Sequence, residues 1–188
     1  MFFAFFSSVF SAKICLDPGF GGASSIFSGS RNSSIDNLRL SKGVGEILQK
    51  YGHSVYLVRT HLGSVTMTNR VSFASYVGCD IYYSLKRNAA DTSKSIGIET
   101  RTRFFYSRND MLLRNNTLNA IQSVGMSTII SYKTTMNETV LTNSPCPAAQ
   151  IYLLFISNRR ENLLFDEFFF QWCDAIANSL IETYKEFD

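Results

Sequence analysis

The sequence is poor in charge, in proline and glycine, and above all in histidine. Asp, Glu, Lys and Arg supply 18% of its 188 residues, Pro and Gly number 3 and 11, and 45% of the chain is hydrophobic. That balance excludes a disordered tail, a collagen-like chain and a coiled coil. No apolar run reaches the roughly 18 residues that a spanning helix needs, which argues against an internal transmembrane span. The net charge of +3 is spread over scattered Lys and Arg, without the basic stripe and interleaved aromatics that nucleic-acid binding calls for. The only histidines are His53 and His61, and neither has an acid–base or metal-binding partner at a useful spacing. Each reads as a surface or strand-end residue. Cys15, Cys79, Cys146 and Cys173 form no CxxC pair, which excludes a zinc knuckle and a thioredoxin-like motif. They read as four buried thiols, with one or two disulfides as the alternative in an exported chain.

The length suits one domain with a sizeable core. Residues 1–12 carry no charge and place four Phe in the first six positions. They read as the apolar core of a secretory signal whose positive start is missing, with a membrane-associating stub or a buried N-terminal strand as the other readings. From Lys13 on, strand-like and helix-like pieces alternate. Residues 13–17, 55–58, 80–84, 96–105 and 151–156 read as strands, and 34–51, 68–77, 110–124 and 167–186 as helices. Phe169, Trp172, Cys173, Ile176, Leu180 and Tyr184 trace one face of the last helix, a core stripe rather than a cofactor box. The alternation predicts a single α/β domain over 13–188, with a mostly parallel central sheet flanked by helices.

Gly19 to Ser24 (GFGGAS) follows a strand and partly fits a dinucleotide-binding glycine loop. Ser24 stands at the third glycine, a Ser-rich loop replaces the helix, and no acidic residue closes a second strand, so that reading fails.

The order of short motifs is more telling. Ile14 to Gly22 (ICLDPGFGG) precedes Asn37-Leu38. Gly52 to Thr60 (GHSVYLVRT) and Asn69-Arg70 follow, then Gly78 to Ala89 (GCDIYYSLKRNA) and Gly97 to Thr100 (GIET). Pro147 and Phe155 to Asn158 (FISN) come near the end. In order and spacing this resembles the zinc-dependent N-acetylmuramoyl-L-alanine amidases of bacterial cell walls, the family-3 amidase domain, over nearly everything after residue 13. The resemblance implies hydrolysis of the amide between the muramic acid lactyl group and L-alanine, with zinc as cofactor and a glutamate moving protons.

Carried over one position at a time, the chemistry is missing. The first ligand histidine, in Asp-Pro-Gly-His-Gly-Gly, falls at Phe20. The ligand glutamate, four residues before the Asn-Leu pair, falls at Ser33. The histidine of Ser-x-His-x-Asn falls in the stretch Ser84 to Asn88, assigned to Leu85, and no histidine occurs there. The catalytic glutamate falls at Tyr152. Phenylalanine and leucine offer a metal no lone pair, and a tyrosine hydroxyl with its ordinary pKa near 10 is a weak base at neutral pH. The expectation is a degenerate amidase without zinc, a binding or regulatory module for a peptidoglycan fragment or a cell-wall-associated protein, periplasmic or secreted. The alternative is a working amidase with a displaced metal site built on His61, Asp36 or Asp17. Arg87, Arg101 and Arg103 are candidates for a stem-peptide carboxylate. Glu99 reads as a strand residue paired with Arg101 or Arg103.

Overall fold

The computed structural model describes residues 11–125 and 129–187. Most of the expected signal segment lies outside them. The apolar run after Ala12 forms β1 (Lys13–Pro18). Its parallel neighbours are β4 (Ser54–Leu57) and β5 (Ile81–Asn88). A two-stranded hairpin, β2 (Phe27–Ser28) and β3 (Arg31–Asn32), interrupts the loop after β1. The sheet continues through β6 (Ile98–Arg103), β7 (Ile130–Thr135) and β8 (Ala148–Phe155), in the order β4-β1-β5-β8-β6-β7. Every pairing is parallel except β6 with β8. The expectation of one mostly parallel α/β domain therefore holds.

Helices begin where side chains satisfy their free N–H groups. Asn32 caps α1 (Ser33–Lys50), Thr66 caps α2 (Met67–Val77), and Ser107 with Asp110 forms a capping box on α3 (Arg108–Ser123). A short α4 (Thr139–Thr142) follows β7. A further helix that was not expected, α5 (Arg159–Glu167), comes next, capped by Asn158. The helix expected over 167–186 is α6 (Phe169–Lys185), which the chain enters after Phe168. The stripe from Phe169 to Leu180 is buried, as its periodicity predicted.

Alternation along the strands divides the interior in two. Ile14, Leu16, Tyr83, Leu85, Ile151 and Leu153 join α1, α3 and α6 in the larger core. Cys15, Tyr82 and Ala148 face α2 and α4 in the smaller one. Two of the four cysteines depart from the thiol reading, because Cys15 and Cys79 form a disulfide in that smaller core. Cys146 and Cys173 are free thiols, and burial pushes them up to about 11 and about 12. Among the described residues no helix is long and apolar enough to cross a membrane.

Candidate functional site

The loop after β1 is held from its backbone. Arg59 donates from Nε to Pro18 O (3.2 Å) and from Nη2 to Gly19 O (3.4 Å) and Ser34 O (3.1 Å). Arg70, ion-paired with the buried Asp17, donates to Phe20 O (2.9 Å). Asn37 bridges the loop to β5, giving a hydrogen bond to Gly19 O (2.8 Å) and taking one from Arg87 N (2.7 Å). Carbonyls that would otherwise be buried without partners are thereby satisfied. Phe20 is fixed in the left-handed region, at φ 60°.

β5 and β8 carry the facing side chains. Lys86 pairs in register with Tyr152, and Tyr152 with Glu99 on β6. The Lys86 Nζ lies 5.6 Å from the centroid of the Phe20 ring and 5.3 Å from that of Tyr152, within cation–π range of both. Glu138, just before α4, closes the cluster. Its carboxylate accepts from the Tyr152 hydroxyl (3.0 Å), from Arg101 Nη1 (3.0 Å) and from Lys86 Nζ (3.5 Å). The Arg101 guanidinium also stacks on the Tyr152 ring at 4.3 Å and pairs with Glu99, which binds Lys133 as well (2.6 Å).

The electrostatics of the cluster are closed on themselves. Burial lowers the Lys86 pKa, outweighing Glu138 and Asp17. Burial pushes the Glu138 carboxyl up, but Lys86, Tyr152 and Arg101 hold it below its ordinary value, so it stays ionised. Burial, and then the Glu138 charge, raise the Tyr152 hydroxyl well above 10, so it offers no base at neutral pH.

The structure brings together Phe20 and Tyr152 but neither Leu85 nor Ser33. Leu85 is fully buried in the larger core. The residue that reaches Phe20 and Tyr152 is Lys86, because one step along a strand reverses the face. The Ser33 hydroxyl turns to its own loop and accepts from Ile26 N (2.8 Å). Of the three candidate arginines only Arg101 stands in the cluster. Arg87 is wholly buried on the opposite face, paired with Asp36 (2.5 Å) and stacked on Phe165. Arg103 pairs with Asp110 (2.9 Å) beside Cys146 O. Sequence reasoning missed Lys86 and Glu138. The period-2 register of β5 could have given the first, but Glu138 lies in a loop far along the chain and left no signal.

The residues proposed for a displaced metal are apart and occupied. Asp17 is paired with Arg70, and Asp36 with Arg31 and Arg87. His61 is exposed, while His53 is buried rather than at the surface, its Nδ1 accepting from Ala12 N (3.1 Å). Among the described residues no three His, Cys, Asp or Glu converge on a point where a metal would sit.

A six-stranded, mostly parallel sheet between helical layers defines the class, an α/β protein built like the cell-wall amidases. An N-acetylmuramoyl-L-alanine amidase from Clostridium difficile 630 superposes with a TM-score of 0.87 at 22% identity, over 95% of this chain and 99% of that one. The CwlD amidase from Clostridioides difficile, solved in complex with the GerS lipoprotein, gives 0.83 at 19%, covering 94% and 100%. The amidase AmiC2 of Nostoc punctiforme gives 0.78 at 24%, covering 94% and 98%. No curated protein sequence matches. The N-acetylmuramoyl-L-alanine amidase family model matches residues 14–182, and the chain belongs to that family.

The zinc implied by that resemblance needs lone pairs from about three protein groups. The side chains gathered here are an aromatic ring, a lysine, a tyrosine with a raised pKa, and one carboxylate already shared among three donors. This set does not fit zinc.

Proposed function

We propose that this chain is an amidase-family protein that works without zinc, as a binding or regulatory module of the cell wall, outside the cytoplasm. The observation carrying the reading is the placement of Lys86 between Phe20 and Tyr152, with its amine on Glu138. A positive side chain occupies the meeting point of the β1 loop and the β5 and β8 strand ends, where its charge opposes a metal cation. The raised hydroxyl of Tyr152 argues the same way against proton transfer. The ligand is a peptidoglycan fragment, consistent with the substrate named by the family. A wall-associated protein is the other occupant, since one structural relative is solved with a lipoprotein partner. The Cys15–Cys79 disulfide supports a periplasmic or secreted location, because such bonds persist in oxidising compartments.

The purified protein should contain no stoichiometric zinc by elemental analysis. It should be retained on insoluble peptidoglycan equally with and without chelator, and should release no stem peptide. One zinc per chain, or retention abolished by chelator, would restore the metalloenzyme reading. Absence of retention in both conditions would leave the protein-partner form.

A further inference from the structure

A second cluster, an arginine and two tyrosines, lies on the side of the sheet opposite Lys86. On β7, Ser131 and Lys133 pair with Glu99 and Arg101, and Lys133 reaches Glu99 on the Lys86 face. The alternation then turns Tyr132, the register partner of Thr100, toward α3. There it meets Arg114. The guanidinium carbon of Arg114 lies 4.3 Å from the Tyr132 ring centroid and 5.4 Å from that of Tyr106, which precedes α3. The arginine is only 6% exposed, whereas Tyr106 and Tyr132 are 44% and 60% exposed.

Among the described residues Arg114 has no counter-charge. Its Nε donates to Asn115 Oδ1 (3.0 Å), and among the described residues its outer nitrogens find no acceptor and no carboxylate. The arginines of the neighbouring strand β6, Arg101 and Arg103, are each matched with an acid. A buried guanidinium without an anion is costly, and two ring contacts offset only part of that cost. The outer nitrogens are not among the sealed, partnerless side-chain atoms, so they keep some contact with solvent at the edge of a group that is otherwise buried. They carry the donors of one positive charge beside two exposed rings.

We propose that Arg114, with Tyr106 and Tyr132, binds the carboxylate of an acidic sugar. A single guanidinium matches a monoanion in charge, and its fork matches a carboxylate in geometry. Exposed tyrosine rings suit the apolar faces of a pyranose, and their hydroxyls suit its polar edge. The site stands on this geometry alone. The choice of muramic acid as its natural sugar rests on the cell-wall reading, since cleavage of the muramoyl–alanine amide leaves a lactyl carboxylate on that sugar.

The test is titration of the full chain with N-acetylmuramic acid, followed by NMR shifts of the Tyr106, Arg114 and Tyr132 amides. N-acetylglucosamine, which lacks the carboxylate, and acetate, which lacks the ring, are the comparison probes. N-acetylmuramic acid should shift all three signals and both comparison probes should bind at least roughly tenfold more weakly. Arg114→Met should abolish the response. Because that change opens a near-buried position, Tyr132→Ala, at an exposed strand position, serves as the second variant and should weaken binding with the melting temperature little changed. Equal binding of N-acetylglucosamine, or of acetate, overturns the proposal. Glucuronic acid binding as well as N-acetylmuramic acid, with no retention on peptidoglycan, keeps the acidic-sugar site and removes the cell-wall assignment.

Discussion

Lys86 lies with its stem against Gly19, where a Cβ would collide with the lysine Cγ. Glycine at 19 is therefore required by the lysine that crosses it, and the aliphatic stem fills space while the amine finds Glu138. His53 shows the same economy in a single side chain. Its Nδ1 accepts from the backbone of Ala12, so the neutral ring is the one the fold uses. Burial, and then the Lys185 charge, hold its pKa below the ordinary value of about 6.5. The unfolded chain takes up this proton first as pH falls, so the contribution is present above about 6.5 and is lost below it, toward the lower folded pKa. Thermal unfolding should show the melting temperature falling from pH 7.5 to 5.5. His53→Asn, whose Oδ1 can accept the same bond, should flatten part of that fall. Identical slopes in the two proteins would remove His53 from the account.

At the scale of the element, β8 carries a bulge where its register with β5 shifts between Lys86 and Asn88. Leu154 sits there at φ 59°, fully buried. A left-handed non-glycine residue costs about 1–2 kcal/mol, and truncating a buried leucine costs about 2–5 kcal/mol. Leu154→Ala keeps the strain and loses the packing, whereas Leu154→Gly loses the packing and releases the strain. Both should destabilise the protein. The glycine variant should be the more stable of the two by about 1 kcal/mol, the reverse of the usual order in a strand. Urea denaturation of the two variants decides it.

Elements with a strong period were legible in the sequence. The α6 stripe and the helix over 34–51 appear nearly as read. α5 was missed, because its Arg159–Glu167 segment is mostly polar and buries only Glu161 and Phe165. β7 was missed because its Ile130–Thr135 segment is an edge strand whose half-buried and exposed residues give no apolar run. Phe20 and Tyr152, chosen from motif spacing, both lie beside the Lys86 amine. Leu85 lies in the larger core while its neighbour Lys86 faces Phe20 and Tyr152, because one step along a strand moves a side chain through the sheet.

Over the whole molecule, the disulfide ties β1 to Cys79, two residues before β5, across a separation of 64 residues, enclosing α1, β4 and α2. A cross-link of that span restricts the unfolded chain by about 4 kcal/mol in the loop-entropy model. Reduction, or the paired change Cys15→Ser and Cys79→Ser, should lower unfolding stability by that order in chemical denaturation, while Cys146 and Cys173 stay alkylatable once the chain is unfolded. An unchanged midpoint would show that the bond adds nothing to the fold. The hold that Arg59, Arg70 and Asn37 keep on the β1 loop reaches further than the loop itself. They grip peptide carbonyls, and a carbonyl is the same whatever side chain its residue bears. The mount is thus independent of the part mounted in it, and position 20 can be exchanged without the surrounding backbone having to learn a new shape.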